Sequence, residues 1–169
     1  MNLSVIFSLT QSAMAQVHAV PEAEDLQTII AEKCNSSPAK CTSLGRRYLA
    51  NLGVQADGSQ RDVAKGLFEY ACNEGFADGC TYLGMCFDWY DRAPHLAIPL
   101  YQKGCDGGSP YACNNLGFVY LFETTVQRNL SAAESLFSTA CEGGLSTSCS
   151  YLKFIQLNRR SLWSNLTSV

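Results

Sequence analysis

The feature that most constrains this chain is the placement of its cysteines, at 34, 41, 72, 80, 86, 105, 113, 141 and 149. Eight of the nine fall into four close pairs. Cys72/Cys80, Cys105/Cys113 and Cys141/Cys149 each enclose seven residues, Cys34/Cys41 encloses six, and Cys86 is left over. The second members of the pairs step by 39, 33 and 36 residues. A period in the thirties marks a helical repeat array, in which each unit buries its apolar face only against its neighbours.

The text around the pairs repeats in register. Leu44-Gly45, Leu83-Gly84, Leu116-Gly117 and Leu152-Lys153 follow the second cysteines at the same offset. Ahead of the first cysteines stand Leu67-Phe68, Leu100-Tyr101 and Leu136-Phe137, with Ala64, Ala97 and Ala133 one turn earlier. Ala71, Gly104 and Ala140 immediately precede the cysteine. Offsets of about 8, 5, 4 and 1 trace one face of an α-helix. These apolar positions read as core, and the glycine after Leu lets the partner helix approach closely. Gly75, Gly108 and Gly144 stand where a left-handed residue would end the helix.

Each unit is therefore a helix A opened by a cysteine, a loop, and a helix B closed by one. The expected helices are Glu22–Cys34 behind Pro21, Cys41–Leu52, Asp62–Asn73, Cys80–Tyr90, Leu96–Cys105, Cys113–Phe122, Ser131–Glu142 and Cys149–Ser161. Asp62 and Ser131 are the expected N-caps. Residues 35–79, 80–112 and 113–148 make three repeats between a half-repeat at 16–34 and a capping helix at 149–169. The second unit is shortened, with the link Asp91-Arg92-Ala93-Pro94-His95, and Pro99 either lies in the first turn of its B helix, where it fits, or kinks that helix.

The helix–turn–helix bend brings the two cysteines of a pair together. A disulfide closing so short a loop contributes roughly 2.5 kcal/mol in the chain-entropy model. A metal reading needs tighter pairs or converging histidines, and the chain has only His18 and His95. Reduced core cysteines are the remaining alternative. Cys86 reads as a small apolar core residue, with an intermolecular or redox role as the sharper reading.

Composition narrows the classes. The net charge of −3 gives no basic field for nucleic acid, and 47% hydrophobic residues exclude a largely disordered acidic chain. The apolar stretch Leu3–Leu9 running to Ala13-Met14-Ala15 reads as a signal peptide over residues 1–15, cleaved before Gln16. That places the mature chain in the periplasm or outside the cell, where cysteines pair. An oxidising organelle such as the mitochondrial intermembrane space is the alternative.

The run Leu96-Ala97-Ile98-Pro99-Leu100-Tyr101-Gln102-Lys103-Gly104-Cys105-Asp106-Gly107-Gly108, with the recurring Leu-Gly and paired cysteines, resembles the Sel1-like repeat, a relative of the tetratricopeptide repeat. The seven-residue cysteine pairs resemble its cysteine-rich branch, typified by the Helicobacter cysteine-rich proteins. The resemblance covers about residues 26–157. It implies an all-α fold, a right-handed α/α superhelix with disulfides joining consecutive repeats. It also implies a scaffold that binds protein or peptide on a concave surface lined mainly by A helices, and the chain is expected to act as a monomer. A second implication is weak penicillin-binding or β-lactamase-like activity.

Sites for such chemistry are thin in the sequence. Ser37-Pro38-Ala39-Lys40 and Ser150-Tyr151-Leu152-Lys153 match the Ser-x-x-Lys spacing. With seventeen serines and five lysines, chance matches are easy. No companion Ser-Asp-Asn or Lys-Thr-Gly, Walker loop, zinc-protease motif or dinucleotide fingerprint accompanies them. The expectation is therefore no catalytic residue, no metal and no cofactor. The candidate partner-binding residues are Trp89 and Tyr90 at the end of the second A helix, Tyr120 and Phe122 on the third, and Arg46 and Arg47 on the first.

Overall fold

The computed structural model describes residues 25–50, 58–122 and 127–166, with side chains as far as residue 158. The expected signal segment, His18, Pro21 and most of the first A–B loop lie outside the described residues. Among the described residues eight helices follow one another. α1 is Leu26–Thr28 continued by a π-helical turn, Ile29–Lys33. α2 is Pro38–Ala50 and α3 is Gly58–Asn73. α4 is Ala77–Met85 continued by a second π-helical turn, Cys86–Tyr90. α5 is Pro94–Asp106, α6 Pro110–Phe122, α7 Leu130–Glu142 and α8 Ser146–Leu166. Each packs on the next, so α2/α3, α4/α5 and α6/α7 are A/B pairs, and α8 is a further A helix. The A helices also touch one another, α2 on α4 and α4 on α6, whereas α3 and α5, or α5 and α7, meet at most marginally.

The pairing rests on contacts that recur in every unit. The aromatic of each B helix lies over the glycine of its A helix: Phe68 over Gly45, Tyr101 over Gly84, Phe137 over Gly117. A Cβ on these glycines would lie 2.7, 2.7 and 3.1 Å from the nearest ring carbon. All three rings are fully buried, as are Ala64, Ala97 and Ala133. Burying a side chain of this size contributes roughly 2–3 kcal/mol.

Disulfides Cys34–Cys41, Cys72–Cys80, Cys105–Cys113 and Cys141–Cys149 staple each B end to the next A helix, with Cα separations of 4.9, 4.5, 4.7 and 4.8 Å. Gly75, Gly108 and Gly144 take φ of 81, 88 and 92° and turn the chain. The first junction is a residue shorter, and Asn35 and Ser36 share the left-handed role at φ 51 and 48°. Asn tolerates that region because its short amide bonds locally.

The A helices start three residues ahead of the second cysteine, not at it. One residue after the left-handed turn suffices to re-enter a helix, and Pro38 and Pro110 stand at first helical positions, where their fixed φ fits. Two caps need correcting. Asp62 lies inside α3, which begins at Gly58. At α7 the cap is Asn129, whose side chain accepts from the Ala132 N–H at 3.0 Å, leaving Ser131 inside the helix. Pro99 sits in the second turn of α5, exposed, so the His95 carbonyl forgoes its helical donor. His95 is itself exposed in the first turn of α5 rather than in the link.

The second unit handles its short connection by widening α4. Asp91 N–H donates to the Cys86 carbonyl at 3.2 Å, closing the π-turn. Ala93 N–H donates to the Phe87 carbonyl at 2.9 Å, with Arg92 between them at φ 54°. Lys65 of α3 braces this link, bonding Asp91 at 2.5 Å and lying 4.5 Å from the Phe87 ring centre. Cys86 is unpaired and fully buried, and burial pushes its thiol up to about 11.

Candidate functional site

Counting from the second cysteine of each pair sorts the A-helix side chains. Positions 6 and 7 beyond it turn toward the B layer: Cys86, Val119 and Ile155 at the first, Phe87 and Tyr120 at the second. The first set is buried and the second half-buried in core clusters. Positions 2 before, and 2, 5 and 9 after, fall on one stripe at helical spacing. On α4 the stripe is Asp78, Tyr82, Met85 and Trp89; on α6 it is Tyr111, Asn115, Phe118 and Phe122. On α2 the same positions hold Ala39, Ser43, Arg46 and Ala50, and on α8 Thr147, Tyr151, Phe154 and Asn158. The stripe is aromatic through the middle and end of the array, and small or basic at its start.

Two cavities open along this stripe. One, of about 200 Å³, lies between α4 and α6, lined by Asp78, Thr81, Tyr82, Met85, Trp89, Tyr111 and Asn115. The other, of about 600 Å³, is lined by Asp88, Trp89, Arg92, Pro94, Phe118, Val119 and Phe122. Trp89 borders both. Trp89, Tyr111 and Phe122 are 55, 59 and 59% exposed, large apolar surfaces left in water. Phe118 is held rigidly, stacked on Phe122 with centroids 5.9 Å apart and edge-on to Phe137 at 5.1 Å and Tyr151 at 4.7 Å.

Hydrogen bonds from two buried serines tie successive A helices together along the stripe. The Ser109 hydroxyl donates to Asp78 at 2.7 Å, and the Thr81 hydroxyl donates to Ser109 at 3.1 Å. One repeat on, the Ser148 hydroxyl donates to Asn114 at 2.8 Å. Tyr101 links one lining residue of each cavity, Asp88 and Asn115. Its hydroxyl donates to Asp88 at 3.2 Å and interacts with the Asn115 side chain. Burial, then the neighbouring Asp88, holds that phenol protonated far above its ordinary range.

Of the residues singled out from sequence, Trp89 and Phe122 meet in the larger cavity. Arg46 joins the stripe, its guanidinium 5.2 Å from the Tyr82 ring centre. Burial raises the Tyr82 phenol, with Arg46 pulling the other way. The others lie elsewhere. Arg47 lines a separate 520 Å³ cavity with Lys33, Leu44 and Tyr48. Tyr90 faces α3, under Arg61 at 4.8 Å. Tyr120 packs half-buried in the core. Tyr82, Tyr111, Asn115, Phe118, Asp88 and Arg92 were not singled out; the offset from the second cysteine carries the signal for the first four. Ser37 stands just before α2, and the exposed Ser150 donates back to the Ser146 carbonyl at 3.3 Å. Neither lines a cavity described above. No three His, Cys, Asp or Glu side chains converge among the described residues.

No protein-family model matches the sequence, and no curated protein matches it. Solved structures do. A Sel1 repeat protein from Oxalobacter formigenes superposes with a TM-score of 0.62 at 18% identity, over 91% of this chain. A protective antigen of uropathogenic Escherichia coli displaying an SLR fold gives 0.66 at 20% identity, over 79% of this chain. This chain spans 60% of the first protein and 29% of the second. The fold is that of the Sel1-like repeat proteins. Four disulfides at the junctions fit the cysteine-rich form of the Sel1-like array. Within it, the aromatic stripe lies on the A layer, whose helices pack on one another.

Proposed function

We propose that this protein is an exported Sel1-like scaffold that binds a protein or peptide partner along the A-helix stripe, without catalysis of its own. The observation that carries the reading is the exposure of Trp89, Tyr111 and Phe122 on successive A helices, around two cavities that share Trp89. Large aromatics in partly desolvated pockets are the usual anchors of protein recognition. The closer packing of the A layer makes it the inner, concave side, so a partner lying there meets several repeats at once. The buried seams at Ser109 and Ser148 keep the stripe rigid, which lowers the entropic cost of binding. Four disulfides suit an oxidising compartment, and no described helix is long and apolar enough to cross a membrane.

A photo-crosslinking residue placed at Tyr111 or Phe122, in the producing cell, tests the assignment. The same discrete adduct is expected at both positions and not at Leu96, which is 45% exposed on a B helix. Adducts at Leu96 alone, or equal adducts everywhere, would place the binding surface elsewhere.

A further inference from the structure

The larger cavity differs chemically from the groove beside it, and the difference specifies what part of a partner enters. Three aromatic rings wall it: Trp89, Phe118 and Phe122. Pro94 and Val119 complete the apolar lining, and the two charged side chains are Asp88 and Arg92. Ring faces carry negative potential and attract cations. Asp88 is partly buried and oriented by the hydroxyl of Tyr101, a residue with no exposure. Tyr101 is itself fixed under Gly84, its ring packed against the glycine backbone, so the carboxylate has little freedom to turn away. Arg92 is exposed and sits on the link between α4 and α5. The carboxylate is thus the inner charge of the cavity and the guanidinium the outer one. The volume of about 600 Å³ is ample for a long basic side chain.

We infer that this cavity is an anchor site for a basic side chain of the partner polypeptide, seated against Trp89, Phe118 and Phe122 with its charge on Asp88. The inference rests on the reading of the A-helix stripe as the binding surface and adds the chemistry of its anchor. Arg92 then acts as a like-charge gate at the mouth, so its removal strengthens binding of a cation and weakens binding of an anion.

The test follows the Trp89 indole N–H by NMR, assigned with a Trp163→Phe variant, since these are the two tryptophans of the chain. The probes are Nα-acetyl-arginine amide and Nα-acetyl-glutamate amide. Acetyl-arginine amide is expected to give a saturable shift and acetyl-glutamate amide none. Asp88→Asn keeps an acceptor for Tyr101 but removes the charge, and weakens the cation roughly tenfold or more. Arg92→Asn, which tolerates the left-handed backbone, tightens it. Phe122→Leu, at an exposed wall, weakens it without touching the carboxylate and stands in should Asp88→Asn fail to fold. An anion response, no cation response, or cation binding indifferent to both Asp88→Asn and Phe122→Leu overturns the inference. Partner adducts at Tyr111 that persist without any cation response would leave the binding surface standing and the anchor refuted. A cation response with no adduct at Tyr111 or Phe122 would do the reverse.

Discussion

The sharpest stability test of this packing is Gly84→Ala. A methyl at position 84 would meet Tyr101 carbons at 2.7 and 2.8 Å, where apolar carbons prefer about 3.5–4.0 Å. The ring cannot retreat easily: Tyr101 is fully buried, and its hydroxyl is tied to Asp88. Overpacking of this kind costs about 3 kcal/mol at the upper end of its range. Replacing a mid-helix glycine by alanine returns about 1 kcal/mol. The net expectation is a loss of about 2 kcal/mol, a fall in Tm of roughly 4–8 °C for a chain of this size. Gly117→Ala is the internal comparison. Its methyl would lie 3.1 Å from Phe137, so a shift of a few tenths of an ångström relieves it and the propensity gain roughly cancels the cost. Thermal melts by far-ultraviolet circular dichroism, with disulfides intact, read both. A neutral or stabilising Gly84→Ala, or a Gly117→Ala that costs more, would refute the close-approach account.

Further outcomes follow from other features. Removing one staple as Cys72→Ala/Cys80→Ala should cost roughly 2.5 kcal/mol in urea unfolding, and a change near zero would mean that the junction is held by packing alone. Gly108→Ala should destabilise by roughly 1–2 kcal/mol although nothing lies within 4 Å, because its φ of 88° is strained for any residue with a Cβ. Cys86 should resist iodoacetamide in the native state and react on unfolding. Its thiol ionises near the ordinary value of 9.0 when unfolded and at about 11 when folded. The unfolded state thus sheds that proton first, and the Cys86 contribution to stability declines between those pH values. A Cys86→Ala variant should show a flatter profile there. A chromogenic β-lactam should not be turned over above background; turnover abolished by Ser37→Ala or Ser150→Ala would displace the scaffold reading.

The helix pairs were legible because the cysteines, glycines and aromatics recur independently at the same offsets. Phe68, Tyr101 and Phe137 declare the A/B interface before any coordinate is known. Helix starts were less legible, because the second cysteine sits one turn inside its helix and so marks the staple rather than the boundary. Asn129 rather than Ser131 caps α7 because both are good caps, and only the path of the preceding chain chooses between them. The stripe was legible in part. Trp89 and Phe122 stand out as aromatics at a helix end, but Tyr120, two residues before Phe122, points into the other layer. Asp88 and Arg92 meet in one cavity only because α4 widens into a π-turn and the link to α5 is short, which periodicity does not announce.

The central claim is that every repeat junction is closed by its own disulfide and that Cys86 stands outside the scheme. Native protein from an oxidising compartment, alkylated, then digested without reduction and analysed by mass spectrometry, tests it directly. The account predicts four linked pairs, Cys34–Cys41, Cys72–Cys80, Cys105–Cys113 and Cys141–Cys149, with Cys86 the one free thiol. Three or more free thiols, or Cys86 joined to any paired cysteine, would contradict it.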